Sequence, residues 1–457
     1  MVGAAFHTRR RPTARTDAAG GLGRWGLRLF VAAGVAGILS PIPAAALPVF
    51  ARIYDKPCGA CHTTFPQLNP AGENFRAHGF HGPTPAIEPL KVAQSVDVPG
   101  TLPLAFYLGF GEDLAKVENP GQPDPTRTRF SLEFFRLLAG GEIGRHVAFM
   151  LDYELVETDF TTGDVTTDPL PYLAYLTAHA ARGEWLGNLK AGWYELPFIV
   201  SPQIHRLSTR PYLIYELNAC TLLGVAPPHR QCGDIAKLGE TQIGFEVSAL
   251  QASTGIGWAA GFTNGSNNRF DSTASRDAYV HLTRALGLHQ IGLFAFYSPD
   301  LIGQGTHDHA LRLGPDVDFY RRQFRLLGQF LTGYDSNPTG HHQSLWYYGG
   351  FLEADYRLTT TLLSLLRVDY AWTPRFDDTT HGGTTDVRRR LWEVTHGWQW
   401  LVLENVKAVA EVTYGESRQT AGDGTVNAWT GTLRLVTAFW PFTPPGVHEW
   451  LEHRGPP

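Results

Sequence analysis

The sequence predicts an all-β protein: a 16-stranded antiparallel β-barrel of the outer-membrane type, preceded by a small α-helical N-terminal segment. Three observations predict it. After residue 100 the chain repeats stretches of roughly ten residues in which apolar and polar positions alternate, rich in aromatics and closed by turns. The connections between these stretches alternate short and long, as in outer-membrane barrels. Charged side chains fall on one face of each stretch, where a lumen rather than lipid would receive them. Soluble sandwiches and propellers also alternate, but no blade-length repeat is present, and no mature apolar run is long enough for a membrane-spanning helix.

Residues 1–46 read as a signal peptide. Arg9, Arg10, Arg11, Arg15, Arg24 and Arg28 precede the apolar run LFVAAGVAGIL at 29–39, and Ala44-Ala45-Ala46 supplies small residues for cleavage. Cleavage removes six Arg and one Asp, so the totals of 38 basic and 43 acidic residues become 32 and 42. That acidic balance lacks the basic footprint of a nucleic-acid binder, and export permits disulfides.

Residues 47–97 form the second segment. It carries Cys58-Gly-Ala-Cys61-His62, a C-x-x-C-H motif whose two thiols would add to the haem vinyl groups while His62 ligates the iron. A redox dithiol would want a βαβ surround, and a zinc site a second nearby pair; Cys220 and Cys232 are too far off and wrongly spaced. Asn69-Pro70 starts a helix, AGENFRAH continues it and Gly79 stops it, while Pro83, Pro85 and Pro89 make an extended linker. A piece of this size cannot wrap a porphyrin in its own core. The mouth of the barrel is the expected cover.

Residues 98–443 form the barrel, with strands near 101–111, 127–141, 146–157, 170–181, 186–197, 241–250, 255–265, 276–286, 289–299, 309–320, 323–334, 345–357, 361–373, 388–402, 405–417 and 427–441. Even strands end in tight turns and odd strands in longer loops, which leaves both termini periplasmic; 444–457 is a C-terminal tail. Asp152, Glu154, Glu353, Asp355, Asp369, Glu393 and Glu411 are expected to face the lumen, with Arg367, Lys407 and Arg434. Trp346-Tyr347-Tyr348 and Trp392…Trp398-Gln399-Trp400 suit interfacial girdles.

CGACHTTFPQLNPAGENFRAHGF, behind a signal peptide and ahead of sixteen strands, resembles the fused outer-membrane monohaem cytochrome–porin family, which includes the Fe(II) oxidases of iron-oxidising bacteria. The motif likeness covers 51–80. It implies one covalently bound haem c on Cys58, Cys61 and His62, electron uptake from extracellular Fe(II) or another donor, and delivery to a periplasmic soluble cytochrome c or similar carrier. Outer-membrane lipid is the surrounding partner. Three readings stay open: an electron conduit for Fe(II), a conduit for another donor or acceptor, and a passive porin with a structural haem.

Candidates for the second axial ligand are His81, then His78, then Met150. Cys220 and Cys232 fall in the long connection 198–240 and are expected to form a disulfide; the connection is expected to fold over or into the pore, with His205, Arg206 and Tyr212 near such a lid. The inward carboxylates suggest a weak acidic approach for a cation, with no H-x-x-x-H or E-x-x-H pair to hold iron firmly.

Overall fold

The structure is a computed structural model that describes residues 49–82, 85–93, 96–119, 126–158, 165–166, 170–223, 235–265, 267, 275–303, 306–378, 385–419 and 424–439. The expected signal peptide, the C-terminal tail and Cys232 lie outside these residues.

Sixteen long strands make the wall, all antiparallel. They are β1 (Leu104–Glu118), β2 (Thr126–Ile143), β3 (Val147–Thr158), β4 (Leu170–Arg182), β5 (Trp185–Tyr194), β6 (Gln242–Gln251), β7 (Ile256–Thr263) and β8 (Asp277–Leu286). The second half comprises β9 (His289–Gly303), β10 (Thr306–Arg321), β11 (Phe324–Asp335), β12 (Leu345–Arg357), β13 (Leu362–Asp378), β14 (Thr385–Leu403), β15 (Val406–Gln419) and β16 (Gly424–Phe439). The barrel closes where β16 pairs with β1, Leu433 opposite Glu112. The short piece Val165–Thr166 pairs with the end of β3, which also pairs directly with β4. Full closure leaves the wall no unpaired edge, the condition for strands to cross lipid.

The tight turns follow even strands, as expected, but β9, an odd strand for which a longer loop is expected, is also separated from β10 by residues 304–305 alone. Only residues 287–288, 322–323 and 404–405 separate β8 from β9, β10 from β11 and β14 from β15. In the β2–β3 and β4–β5 turns Gly144 and Gly183 adopt φ of 64° and 61°, a left-handed conformation that glycine takes without strain.

Several strands run further than the sequence predicts. β9 and β13 continue through Pro299 and Pro374, each a natural place to stop a strand. The ladder absorbs Pro374 as a register shift between Thr373 and Phe376, the irregular site where a strand tolerates proline. β1 starts after Pro103 and runs to Glu118, because Asp113 is not a turn residue: it faces inward and accepts from Ser131 Oγ (3.0 Å) and Thr432 Oγ1 (2.8 Å). β5 stops at Tyr194 because Glu195 begins the turn into the lumen.

The two faces separate by chemistry. On β12 Leu352 is 51% exposed while its neighbours Phe351 and Glu353 are 6% and 0% exposed. Phe245, Phe262, Leu366, Val412 and Leu433 likewise face outward, whereas Glu246, Asp369 and Glu411 are buried inside. Aromatic pairs ring the outside, such as Tyr334–Trp346 at 4.7 Å and Tyr414–Trp429 at 4.4 Å between centroids. An apolar band with aromatic girdles is the outer surface of an outer-membrane barrel.

The core lies in the lumen. The described parts of the connection after β5, 195–223 and 235–241, turn inward and pack Phe198, Tyr212, Ile214, Tyr215 and Leu217 against Phe294, Leu327, Leu331, Tyr347 and Phe351 of the wall. They contain two short helices, α3 (Leu213–Glu216) and α4 (Ala219–Leu223). At the end where the tight turns lie, the N-terminal segment supplies α1 (Val49–Tyr54) and α2 (Pro70–Ala77). Tyr54 donates to Glu142 Oε1 (2.5 Å), and Phe50 stacks on Phe80 at 5.6 Å.

Candidate functional site

The C-x-x-C-H motif folds as a 3₁₀ turn, Cys58–Ala60, in which Cys61 N–H donates to Cys58 O (3.2 Å). That turn sets the two thiols about one helical turn apart. His62 and Thr64 then pair with Leu68 and Gln67 in a small hairpin. Asn69 ties the hairpin to α2: its Oδ1 accepts from Ala71 N–H (2.9 Å) and Gly72 N–H (3.0 Å). Its Nδ2 reaches the carbonyls of Gly59 and Ala60, each at 3.2 Å. Gly72 is required by contact, since a Cβ there would stand 2.2 Å from Cys61 O.

His62 Nδ1 lies 3.1 Å from the Pro66 carbonyl, and Gln67 supplies a second backbone hydrogen bond, so the ring is held by its own hairpin. Burial lowers the His62 imidazole below its ordinary value, so it is neutral near pH 7, the form that binds a metal. Cys58 and Cys61 are free thiols. Burial, then the Glu404 charge, pushes Cys58 up to about 11, and burial raises Cys61 too. Two thiols held protonated are poor redox nucleophiles. The donor set fits a covalently attached haem in kind: two free thiols one turn apart and an adjacent imidazole held in its neutral form.

The motif sits inside the barrel. Phe65 packs on Val409 of β15 and Val436 of β16, and Gln67 Nε2 donates to Asp355 on β12 (2.9 Å). α2 then crosses the lumen, so that Asn188 on β5 donates to Ala77 O (2.7 Å). His78 and His81 therefore lie at the far end of α2, beside His179 of β4, with ring centroids 6.3 and 5.3 Å away. Met150 points inward next to Phe50 and Gly140.

Above the motif lies the lid formed by 195–241. Arg367 donates to the carbonyls of Arg210 and Pro211 (both 3.0 Å) and to Asp369 (2.7 Å). The inward carboxylates expected to offer a cation path do face inward and each holds a partner, although Asp152 Oδ1, Glu353 Oε1 and Asp355 Oδ1 are buried without a hydrogen bond of their own. Asp152 and Glu154 meet Arg136; Asp355 holds Gln67. Glu353, Asp369, Glu393 and Glu411 hold Tyr212, Leu213, Arg210 and the Ser208–Thr209 pair of the lid. Alternation on a strand shows which way a carboxylate points, but the lid and plug partners of Glu353, Asp355, Asp369, Glu393 and Glu411 sit 141 to 288 residues away.

Beside the lid a cavity of about 710 Å³ runs between α2 and the β4–β10 side, bordered by Glu73, Arg76, Lys190, Glu195, His205 and Asp318. Cys220 is buried in α4 and is not among the free thiols. Its expected partner, Cys232, falls outside the described residues.

No protein-family model matches this sequence, and no curated protein matches it. Solved structures similar in fold are outer-membrane channels. The anion-selective porin of Comamonas acidovorans is 11% identical with TM-score 0.49, the match covering 74% of this chain and 99% of that one. DcaP of Acinetobacter baumannii is 10% identical with TM-score 0.49, covering 77% and 99%. OprB of Pseudomonas putida is 10% identical with TM-score 0.48, covering 74% and 94%. Assignment of the barrel rests on the strand pairing of this chain itself.

Proposed function

We propose that this chain is an outer-membrane c-type cytochrome built into a porin-like barrel. It takes electrons from extracellular Fe(II) and passes them through one haem to a soluble periplasmic carrier. The observation that carries this reading is the pairing of a preformed C-x-x-C-H site with a blocked lumen. Cys58 and Cys61 stand free as attachment points, and the Pro66 carbonyl holds the His62 ring beside them. A haem bound there supplies a one-electron Fe(III)/Fe(II) couple. Each extracellular Fe(II) would give up one electron and leave as Fe(III), and the same electron would reduce the periplasmic carrier. The lid residues Tyr212, Tyr215 and Phe198 exclude water and solutes from the middle of the lumen, which suits transfer of electrons better than passage of nutrients.

The cavity on the β4–β10 side favours a second reading, a passive porin with a structural haem. Two measurements separate them. In denaturing gels the full-length exported chain should carry covalent haem, and Cys58→Ala with Cys61→Ala should lose it. Oxidised protein mixed anaerobically with Fe(II) should then show the reduced α-band in stopped flow. Absence of reduction at a pH where the couple is favourable removes Fe(II) as donor, and steady ohmic conductance in liposomes selects the porin. The same reading closes the outer part of the lid with a Cys220–Cys232 disulfide, which non-reducing peptide mapping should recover as one cross-linked pair.

A further inference from the structure

The outer face of β14 and β15 carries two cations that neither the haem motif nor the lid uses. Arg389 points inward and donates to the carbonyls of Thr221 and Leu222 in α4, the latter at 3.2 Å. Its neighbours Arg388 and Arg390 therefore point out of the barrel, and both are exposed. On β15 Glu411 and Thr413 are buried inside while Val412 is 52% exposed, so Arg418 also points outward, and it too is exposed. The ladder sets Arg390 directly opposite Arg418. Side chains opposed in this way stand roughly 5 Å apart at Cβ, and like charges so placed repel. Neither guanidinium has a hydrogen bond or ion pair among the described residues, and Glu416, nearer the mid-plane on the same face, pairs with neither.

The pair stands at a defined depth. Trp392 packs on Tyr414 at 5.2 Å and Tyr414 on Trp429 at 4.4 Å, while Arg390 has Trp372 of β13 opposite it on its other side. Trp and Tyr mark the boundary between hydrocarbon and water. On one side of these rings lie the exposed Val368, Val412 and Leu433 of the apolar band. Arg390 and Arg418 come one rung beyond Trp392 on the other side, at the level of lipid head groups. This is the end of the barrel away from the tight turns that follow even strands, the end expected outside the cell.

We propose that Arg390 and Arg418 hold a phosphate of a phosphorylated glycolipid in the outer leaflet. A phosphate between the two guanidiniums turns their repulsion into attraction, and the planar fork of arginine matches phosphate oxygens two at a time. The acyl chains of the same lipid then lie along Val412 and Leu433, adding apolar contact that a free phosphate lacks. A second copy of the chain fits this face poorly, because a two-fold contact through it would bring four guanidiniums together. The assignment needs the barrel and its strand register alone, so it stands apart from the haem reading. It gives this sector of the outer rim a fixed lipid partner.

The test uses the full exported chain in detergent, with heat-modifiable gel migration to confirm a folded barrel. The probe is diphosphorylated lipid A, its dephosphorylated form is the control, and native mass spectrometry reads the bound fraction. Wild type should bind the phosphorylated probe. Arg390→Gln with Arg418→Gln should weaken that binding about thirtyfold, the loss of two cations beside an anionic head group. The dephosphorylated probe should bind wild type as weakly as the phosphorylated probe binds the double variant. Arg321→Gln with Arg322→Gln, at the opposite rim, should leave affinity unchanged. Equal affinity in wild type and the Arg390/Arg418 variant overturns the assignment, and so does wild-type binding that ignores the phosphates. Inorganic phosphate binding as tightly as lipid A overturns the lipid as occupant. So does a second copy of the chain captured by cross-linking from Arg418→Cys.

Discussion

At the scale of single residues, the chemistry of the motif is set by its burial. A cysteine in an unfolded chain ionises near pH 8.5, whereas the folded environment holds Cys58 up to about 11. The sign is clear: the shift favours the neutral thiol, so thiolate is scarce at neutral pH and appears only as pH climbs toward that value. In folded protein produced without haem maturation, alkylation of Cys58 by iodoacetamide should be slow at pH 8 and rise steeply above pH 10. A rate profile with its midpoint near 8.5 would show that the thiol is open to water. C-x-x-C-H is legible as a string because covalent chemistry demands the spacing. Gly72 is not, since the carbonyl it accommodates belongs to Cys61, eleven residues earlier.

At the scale of elements, α2 is the clearest match between pattern and structure. Asn69 caps it, Pro70 opens it, and Gly79 leaves it with φ of 64°. The cap has a second task, since the same Asn69 side chain holds Gly59 O and Ala60 O. Asn69→Ala should therefore cost about 1 kcal/mol from the lost cap alone. It should also lower the fraction of chains that receive haem, read as the ratio of haem stain to protein. A normal ratio would show that the motif keeps its shape without the cap. The strands were legible as strands, but some of their outer ends were not, because Pro299 and Pro374 read as stops and are absorbed by the ladder instead.

At the scale of the whole molecule, the question is what closes the lumen. Arg367, fully buried, binds two lid carbonyls and Asp369 at once, with Glu353 3.9 Å away. Removing one partner of such a buried ionic cluster leaves uncompensated charge and typically costs about 3–5 kcal/mol. Arg367→Ala should loosen the lid and raise single-channel conductance in planar bilayers, while haem content on Cys58 and Cys61 stays normal. Unchanged conductance would mean that the plug below, rather than the lid, blocks the pore.

The sequence by itself determined the sixteen-strand count, the alternation of inward and outward faces, the tight turns after even strands and the C-x-x-C-H spacing of Cys58, Cys61 and His62. These depend on period-two geometry and on fixed covalent spacing, both of which are local. Only the tertiary structure decided that residues 195–223 and 235–241 pack into the lumen and that the inward carboxylates hold this lid and the plug. Such facts depend on which distant strands the closed barrel brings to face one another across its interior, and no local pattern encodes that.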